Sequence, residues 1–205
     1  MIVTISNEYG SGALGIAQAA AGRLGYRFID EQLPVVVAKR LRTSPQAVDA
    51  VQDSRRGFGA RLLAGLEKAT PELQGISGQN QSFDEQCLHQ VEAAVREFAS
   101  SGNVVLFGRG ANAILGRRPD VLRVFIYAPR MWRTRRLMEE LGVSEKAASD
   151  EIARVDDARG AYTRDHYRMR WGDPAHYDLS LDAARLGPEL ARELIERAVI
   201  VLQQG

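Results

Sequence analysis

The chain has 205 residues, 45% apolar and 26% charged, with a formal net charge of +1. This is the composition of a globular domain with a substantial core, and no apolar run approaches the roughly 20 residues that cross a bilayer. A lone cysteine, Cys87, excludes an internal disulfide and a multi-cysteine metal site. With no basic leader ahead of "MIVTIS", the expected location is cytoplasmic.

"IVTIS" alternates as a first strand, Ile2 to Ser6, and leads into the glycine-rich stretch "NEYGSGALG". Ile16, Ala17, Ala20, Ala21 and Leu24 then recur at helical spacing, and Gly25 ends that helix. "YRFID" reads as a short second strand closing at Asp30. From Glu31 to about Lys68 the apolar spacing suits three helices, within "EQLPVVVAKRL", "SPQAVDAVQD" and "GARLLAGLEKA". Residues 70–82 read as a loop, after which Ser82 and Glu85 form a capping box opening a helix through Ser100.

"NVVLFGRG" is a nearly continuous apolar strand, the pattern of a parallel sheet buried on both faces. A short helix follows at Ala111–Leu115, then a fourth strand in "DVLRVFIYAP", a helix over about Met131–Leu141, and an arginine-bearing helical segment from Ser144 towards Tyr167. "YDLSLD" supplies a fifth strand, and Pro188–Leu202 a closing helix. Strands alternating with helices predict an α/β sheet with right-handed crossovers. One domain over residues 1–205 is expected, with a helical substrate-side insertion at about 31–100 and a lid segment at about 144–168.

Charge is unevenly distributed. Residues 109–170 carry 14 basic against 9 acidic side chains, residues 1–108 carry 10 against 11, and residues 171–205 carry 3 against 6. Of the 14, 13 are arginine, the fork-shaped partner of phosphate oxygens; the chain has three lysines, Lys39, Lys68 and Lys146. The block lacks aromatics at any RNA-motif spacing and the pI is near 7.9, which argues against nucleic acid. His89, His166 and His176 show no metal-ligand spacing, and metal ligands are not legible.

The glycine stretch admits three readings: a dinucleotide fingerprint, a phosphate cradle, and a strand-to-helix turn that merely needs glycine. Gly10-Ser11-Gly12-Ala13-Leu14-Gly15 matches G-x-G-x-x-G, and Asp30 lies 20 residues beyond Gly10, where a dinucleotide fold has its ribose-binding acid. Against this, Asn7, Glu8 and Tyr9 separate the first strand from Gly10, and roughly 70 residues separate Asp30 from the next strand. A longer strand-loop-helix phosphate cradle fits better, its helix amides and dipole facing an anion. Ala13 and Leu14 then stand where G-x-x-x-x-G-K-[ST] has its lysine and hydroxyl residue.

Arg109, just past the third strand, and Asp30, ending the second, belong at the carboxyl edge where such sheets bind ligands. Asp30 would serve equally as an N-cap of the next helix. Arg154, Arg159 and Arg164 recur every five residues, roughly 140° apart on a continuous helix. They are either separate surface residues or, if the chain bends near Gly160, parts of a lid converging on a ligand.

The segments "VTISNEYGSGALGIA", "FID", "VVLFGRGANAIL", "VLRVFIYAP", the arginine block and "WGDPAHYDLSLDAARLG" together resemble the cytidylate kinase-like branch of the P-loop nucleoside monophosphate kinases, over most of the chain. The resemblance implies a three-layer α/β fold with a five-stranded parallel sheet in the order 2-3-1-4-5, and an arginine-rich helical lid. It implies ATP-dependent phosphoryl transfer to a nucleoside monophosphate, with ATP and Mg2+ as cofactors. Gly10, Ser11, Gly12, Ala13, Leu14 and Gly15 would hold the donor phosphates, and Asp30 and Arg109 the acceptor. Arg109, Arg154, Arg159 and Arg164 would neutralise the transferring group.

Three departures bear on that chemistry. The loop lysine is absent, Ala13-Leu14 replaces the second glycine and its polar neighbour, and Gly110 follows Arg109 where cytidylate kinases have aspartate. Losing one electrostatic stabiliser of this kind typically costs about 10²–10³ in rate. A catalytically weak nucleotide sensor is the second expectation, and an NAD(P)-binding protein the third. The expected partner is a small nucleotide, with no membrane and no nucleic acid.

Overall fold

The computed structural model describes residues 1–30, 32–53 and 76–204. Among these, five strands form one parallel sheet: β1 (Ile2–Asn7), β2 (Arg27–Ile29), β3 (Val104–Phe107), β4 (Val121–Tyr127) and β5 (Leu179–Asp182). Their spatial order is β2-β3-β1-β4-β5, as the sequence leads one to expect. Central β1 pairs on one side with β3, Ile2 opposite Val104, and on the other with β4, Ile2 opposite Val121.

Alternation along the strands divides the core. Ile2, Val104 and Leu106 face one layer, where α2 (Gln32–Leu41), α3 (Pro45–Asp53), α4 (Ile76–Ser100) and α5 (Ala111–Leu115) pack. Val3, Ile5, Val105, Leu122, Val124 and Ile126 face the other, beneath α1 (Ala13–Leu24) and α8 (Ala183–Gln204). Burial on both faces explains why "VVLF" and "VLRVFI" are almost continuously apolar. Two further helices, α6 (Arg130–Leu141) and α7 (Glu145–Tyr167), pair beside the sheet through Leu137, Ala148 and Ile152.

Three local expectations change. Helix α4 begins at Ile76, so residues 76–82 are helical and Ser82 lies inside the helix rather than opening it. Buried Cys87, Val91, Ala94 and Val95 anchor it on the sheet, and that packing overrides the local glycine and polar signals of the preceding stretch. Helix α7 runs unbroken through Gly160. Helix α8 starts five residues before Pro188, but Gly187 is non-helical (φ 72°, ψ 165°), so Pro188 still opens its longer part. The helix expected within "GARLLAGLEKA" and residues 70–75 lie outside the described residues.

Candidate active site

Parallel strands bring their carboxyl ends to one edge, so the turns after β1, β2 and β3 gather there. The turn after β1 is the glycine stretch. Gly10 and Gly12 are left-handed, at φ 79° and 76°, and Gly12 caps α1 without a side chain to satisfy its amides. The N–H groups of Ala13, Leu14 and Gly15 therefore lack intrahelical acceptors and carry the positive end of the helix dipole. The Ser11 hydroxyl is buried and has no hydrogen-bond partner among the described residues. An anion with several oxygens fits this set of donors.

A Cβ on Gly15 would meet nothing within 4 Å. In a dinucleotide fingerprint the third glycine lets helix and strand approach closely, so the packing here gives Gly15 no such role. Gly12 differs, because a Cβ there would lie 3.3 Å from the Arg136 guanidinium.

The turn after β3 is sharper still. Gly108, Arg109 and Gly110 are all left-handed, at φ 69°, 57° and 70°. For Arg109 that conformation costs of order 1–3 kcal/mol, a cost accepted where a side chain must be aimed. Its guanidinium pairs with Asp49 of α3 at 2.5 Å. Both line a cavity of about 340 Å³ together with Asp30, Asn7, Asn112, Arg159, Tyr162 and Trp171. Trp171 is steadied by an edge contact with Phe125, 5.6 Å between centroids.

Gly110 is constrained from above. A Cβ there would come within 2.9 Å of the Tyr167 ring and 3.2 Å of Tyr162. The two rings meet at 5.8 Å, and burial raises the Tyr167 hydroxyl far above the usual tyrosine range, holding it protonated. Aromatic surface thus occupies the space an aspartate after Arg109 would need.

Against the glycine turn lies an ionic cluster built on a buried arginine and two partly exposed carboxylates. Arg133 donates to Asp156 at 2.6 Å, to the Tyr9 carbonyl at 3.0 Å and to the Ala128 carbonyl at 2.9 Å, and faces Glu8 at 3.3 Å. Asp156 in turn accepts from the Tyr9 amide at 2.8 Å. Burial raises the Glu8 carboxyl above its ordinary value, against the opposing pull of Arg133.

Asp30, Arg109 and Arg159 meet at one cavity, and Arg159 also donates to the Asn7 carbonyl at 2.7 Å at the end of β1. Arg154 pairs with Glu151 at 2.7 Å, and Arg164 lines a second cavity with Arg168 and Arg170. An unbroken helix carries three residues at that spacing on different faces, which is why they do not converge here. Asp49, Asn112, Tyr162, Trp171, Arg133 and Arg136 were not among the residues picked from sequence. Trp171 and Asn112 lay inside quoted segments, "WGDPAHYD" and "VVLFGRGANAIL", and Arg133 and Arg136 inside the arginine block, but nothing in the sequence singled them out there.

The sheet order and the glycine turn together define a class, the P-loop type of three-layer α/β domain. The model of the cytidylate kinase-like family matches residues 2–185, and the chain belongs to that family. The cytidylate kinase of Natronomonas pharaonis is 26% identical over 200 residues, covering 97% of this chain and 89% of its own. The crystal structure of an uncharacterized protein from Eubacterium ventriosum superposes with a TM-score of 0.67 at 20% identity, covering 97% of this chain and 98% of the other. Shikimate kinase from Bacteroides thetaiotaomicron gives 0.51 at 15%, with the same coverage. Among the described residues no helix is long and apolar enough to cross a membrane.

Proposed function

We propose that the protein is an ATP-dependent phosphotransferase whose acceptor is a nucleoside monophosphate or a related small phosphorylated molecule. The observation that carries this reading is the adjacency, at one sheet edge, of an uncapped glycine turn and a cavity holding Arg109, Arg159 and two carboxylates. The triphosphate would supply the phosphoryl group, its bond to the leaving diphosphate breaking as one forms to an acceptor oxygen. The amides of Ala13, Leu14 and Gly15 would hold donor oxygens. Arg109 would grip the acceptor phosphate, exchanging part of its pairing with Asp49, and Asp30 would accept from base or sugar. Arg159, anchored to Asn7, would bridge the two halves.

The donors suit a polyphosphate better than they suit a protein-built magnesium cage. Leu14 has no side-chain oxygen to offer, and the described residues hold no cluster of three or more His, Cys, Asp or Glu side chains. Magnesium would therefore be carried on phosphate oxygens and water, as that ion commonly is, with the partnerless Ser11 hydroxyl a side-chain oxygen the loop itself could offer.

The test is magnesium-dependent ATP turnover against a panel of nucleoside monophosphates, with one acceptor expected to stimulate it. Arg109→Ala should weaken that acceptor by about 10–100-fold, the worth of a charged hydrogen bond of about 1.5–3 kcal/mol. Unchanged kinetics would remove Arg109 from the site. A nucleotide sensor is the second reading, favoured by the uncharged Ala13-Leu14 pair. It predicts tight nucleotide binding with no stimulation by any acceptor.

A further inference from the structure

The glycine turn brings no cation of its own. Lys146 is held by Asp150 at 2.6 Å on α7, Lys39 sits in the last turn of α2, and Lys68 lies outside the described residues. Arg133 is close but committed, since two carboxylates and two carbonyls surround a side chain only 6% exposed. Arg159 serves the neighbouring cavity.

Arg136, one helical turn beyond Arg133 on α6, is placed differently. Its Nη1 and Cζ lie 3.3 and 3.4 Å from where a Cβ of Gly12 would be, so the guanidinium lies across the residue that caps α1. The side chain is 45% exposed, and its Nε is 3.5 Å from Glu140, a loose surface pair worth little. The guanidinium sits 5.9 Å from the Trp132 ring centroid, a contact that narrows its range without neutralising it. Gly12 thus serves twice, once for its left-handed backbone and once for the room it leaves.

We propose that Arg136 is the phosphate-binding cation of this turn, replacing from helix α6 the charge that Ala13 and Leu14 do not supply. Its ligand class is the polyphosphate of a nucleoside triphosphate, so the inference rests on the phosphotransferase reading above. Arginine suits the task because its planar fork can meet two phosphate oxygens at once. Because the charge comes from a different element, the loop can lose its lysine and remain a site for anions.

The test uses the full chain as wild type, Arg136→Met, Arg136→Gln, Arg136→Lys and Arg135→Met, the last removing an exposed neighbouring charge. Each is titrated with magnesium-ATP and with inorganic triphosphate, and assayed for transfer to the acceptor identified above. Both neutral Arg136 variants should bind the two probes at least ~10-fold more weakly and lose about 10²–10³ in kcat. The KM for acceptor and the thermal midpoint should stay at wild-type values, and Arg136→Lys should recover part of the loss. Wild-type binding and kcat in the neutral variants, or an equal loss in Arg135→Met, would overturn the assignment and leave the phosphotransferase reading intact. Failure of the wild type to bind either probe would overturn both.

Discussion

Arg133 shows how a single residue serves the site without facing a ligand. Its guanidinium ties the Tyr9 carbonyl at the head of the glycine turn to the end of β4 at Ala128, while Glu8 and Asp156 balance its charge. Breaking a fully buried network by removing one partner costs about 3–5 kcal/mol, and the partly exposed Glu8 and Asp156 place this cluster towards or below the lower end of that range. Arg133→Met is therefore expected to lose stability on that scale in urea unfolding, whereas Arg136→Met should not. A loss below about 1 kcal/mol would mean that Glu8 and Asp156 find solvent or other partners. Sequence alone did not separate these two arginines. Both lie on the same helix three residues apart, and only the fold turns one under the loop and the other over it.

At the scale of elements, β5 is an edge strand held at its entry by a side-chain tie. Asp178, just before it, accepts from the Arg123 amide at 2.9 Å and from the Arg123 guanidinium at 3.1 and 2.6 Å, binding the β5 entry to the middle of β4. Burial works to raise the Asp178 carboxyl, but the hydrogen bonds and charge of Arg123 outweigh it and the net shift is downward from 3.8. A carboxyl held low in the folded state adds stability above its unfolded value, and that stability is lost as pH falls through the folded one. The stability advantage of wild type over Asp178→Asn should therefore be full near neutrality and vanish as pH drops below 3.8. Denaturant midpoints measured across that range would show it, and an advantage independent of pH would refute the assignment. The helices were legible where their apolar spacing was long and regular, as in α1, whose buried face is Ala13, Ile16, Ala17, Ala20 and Ala21. The start of α4 was not, because its first turns carry glycines and polar residues.

The whole molecule is held by a sheet sandwiched between two helical layers, and the face under α1 and α8 is one continuous core. Ile195 of α8 is fully buried there, so Ile195→Ala should cost about 2–5 kcal/mol. Circular dichroism and fluorescence should follow one unfolding transition, and separate transitions would show that α8 is not part of that core. The sequence by itself determined the strands, their parallel order, the glycine turn and the family. The strands and the turn follow from local apolar periodicity and from short motifs whose backbone geometry demands glycine, whereas the order and the family came with the resemblance those motifs carry. Tertiary structure alone decided that Asp49 meets Arg109, that Tyr162 and Tyr167 fill the space over Gly110, and that Arg136 reaches Gly12. Each of these joins residues from separate elements, by contacts set by how the helices dock on the sheet, and a one-dimensional pattern carries no record of that docking.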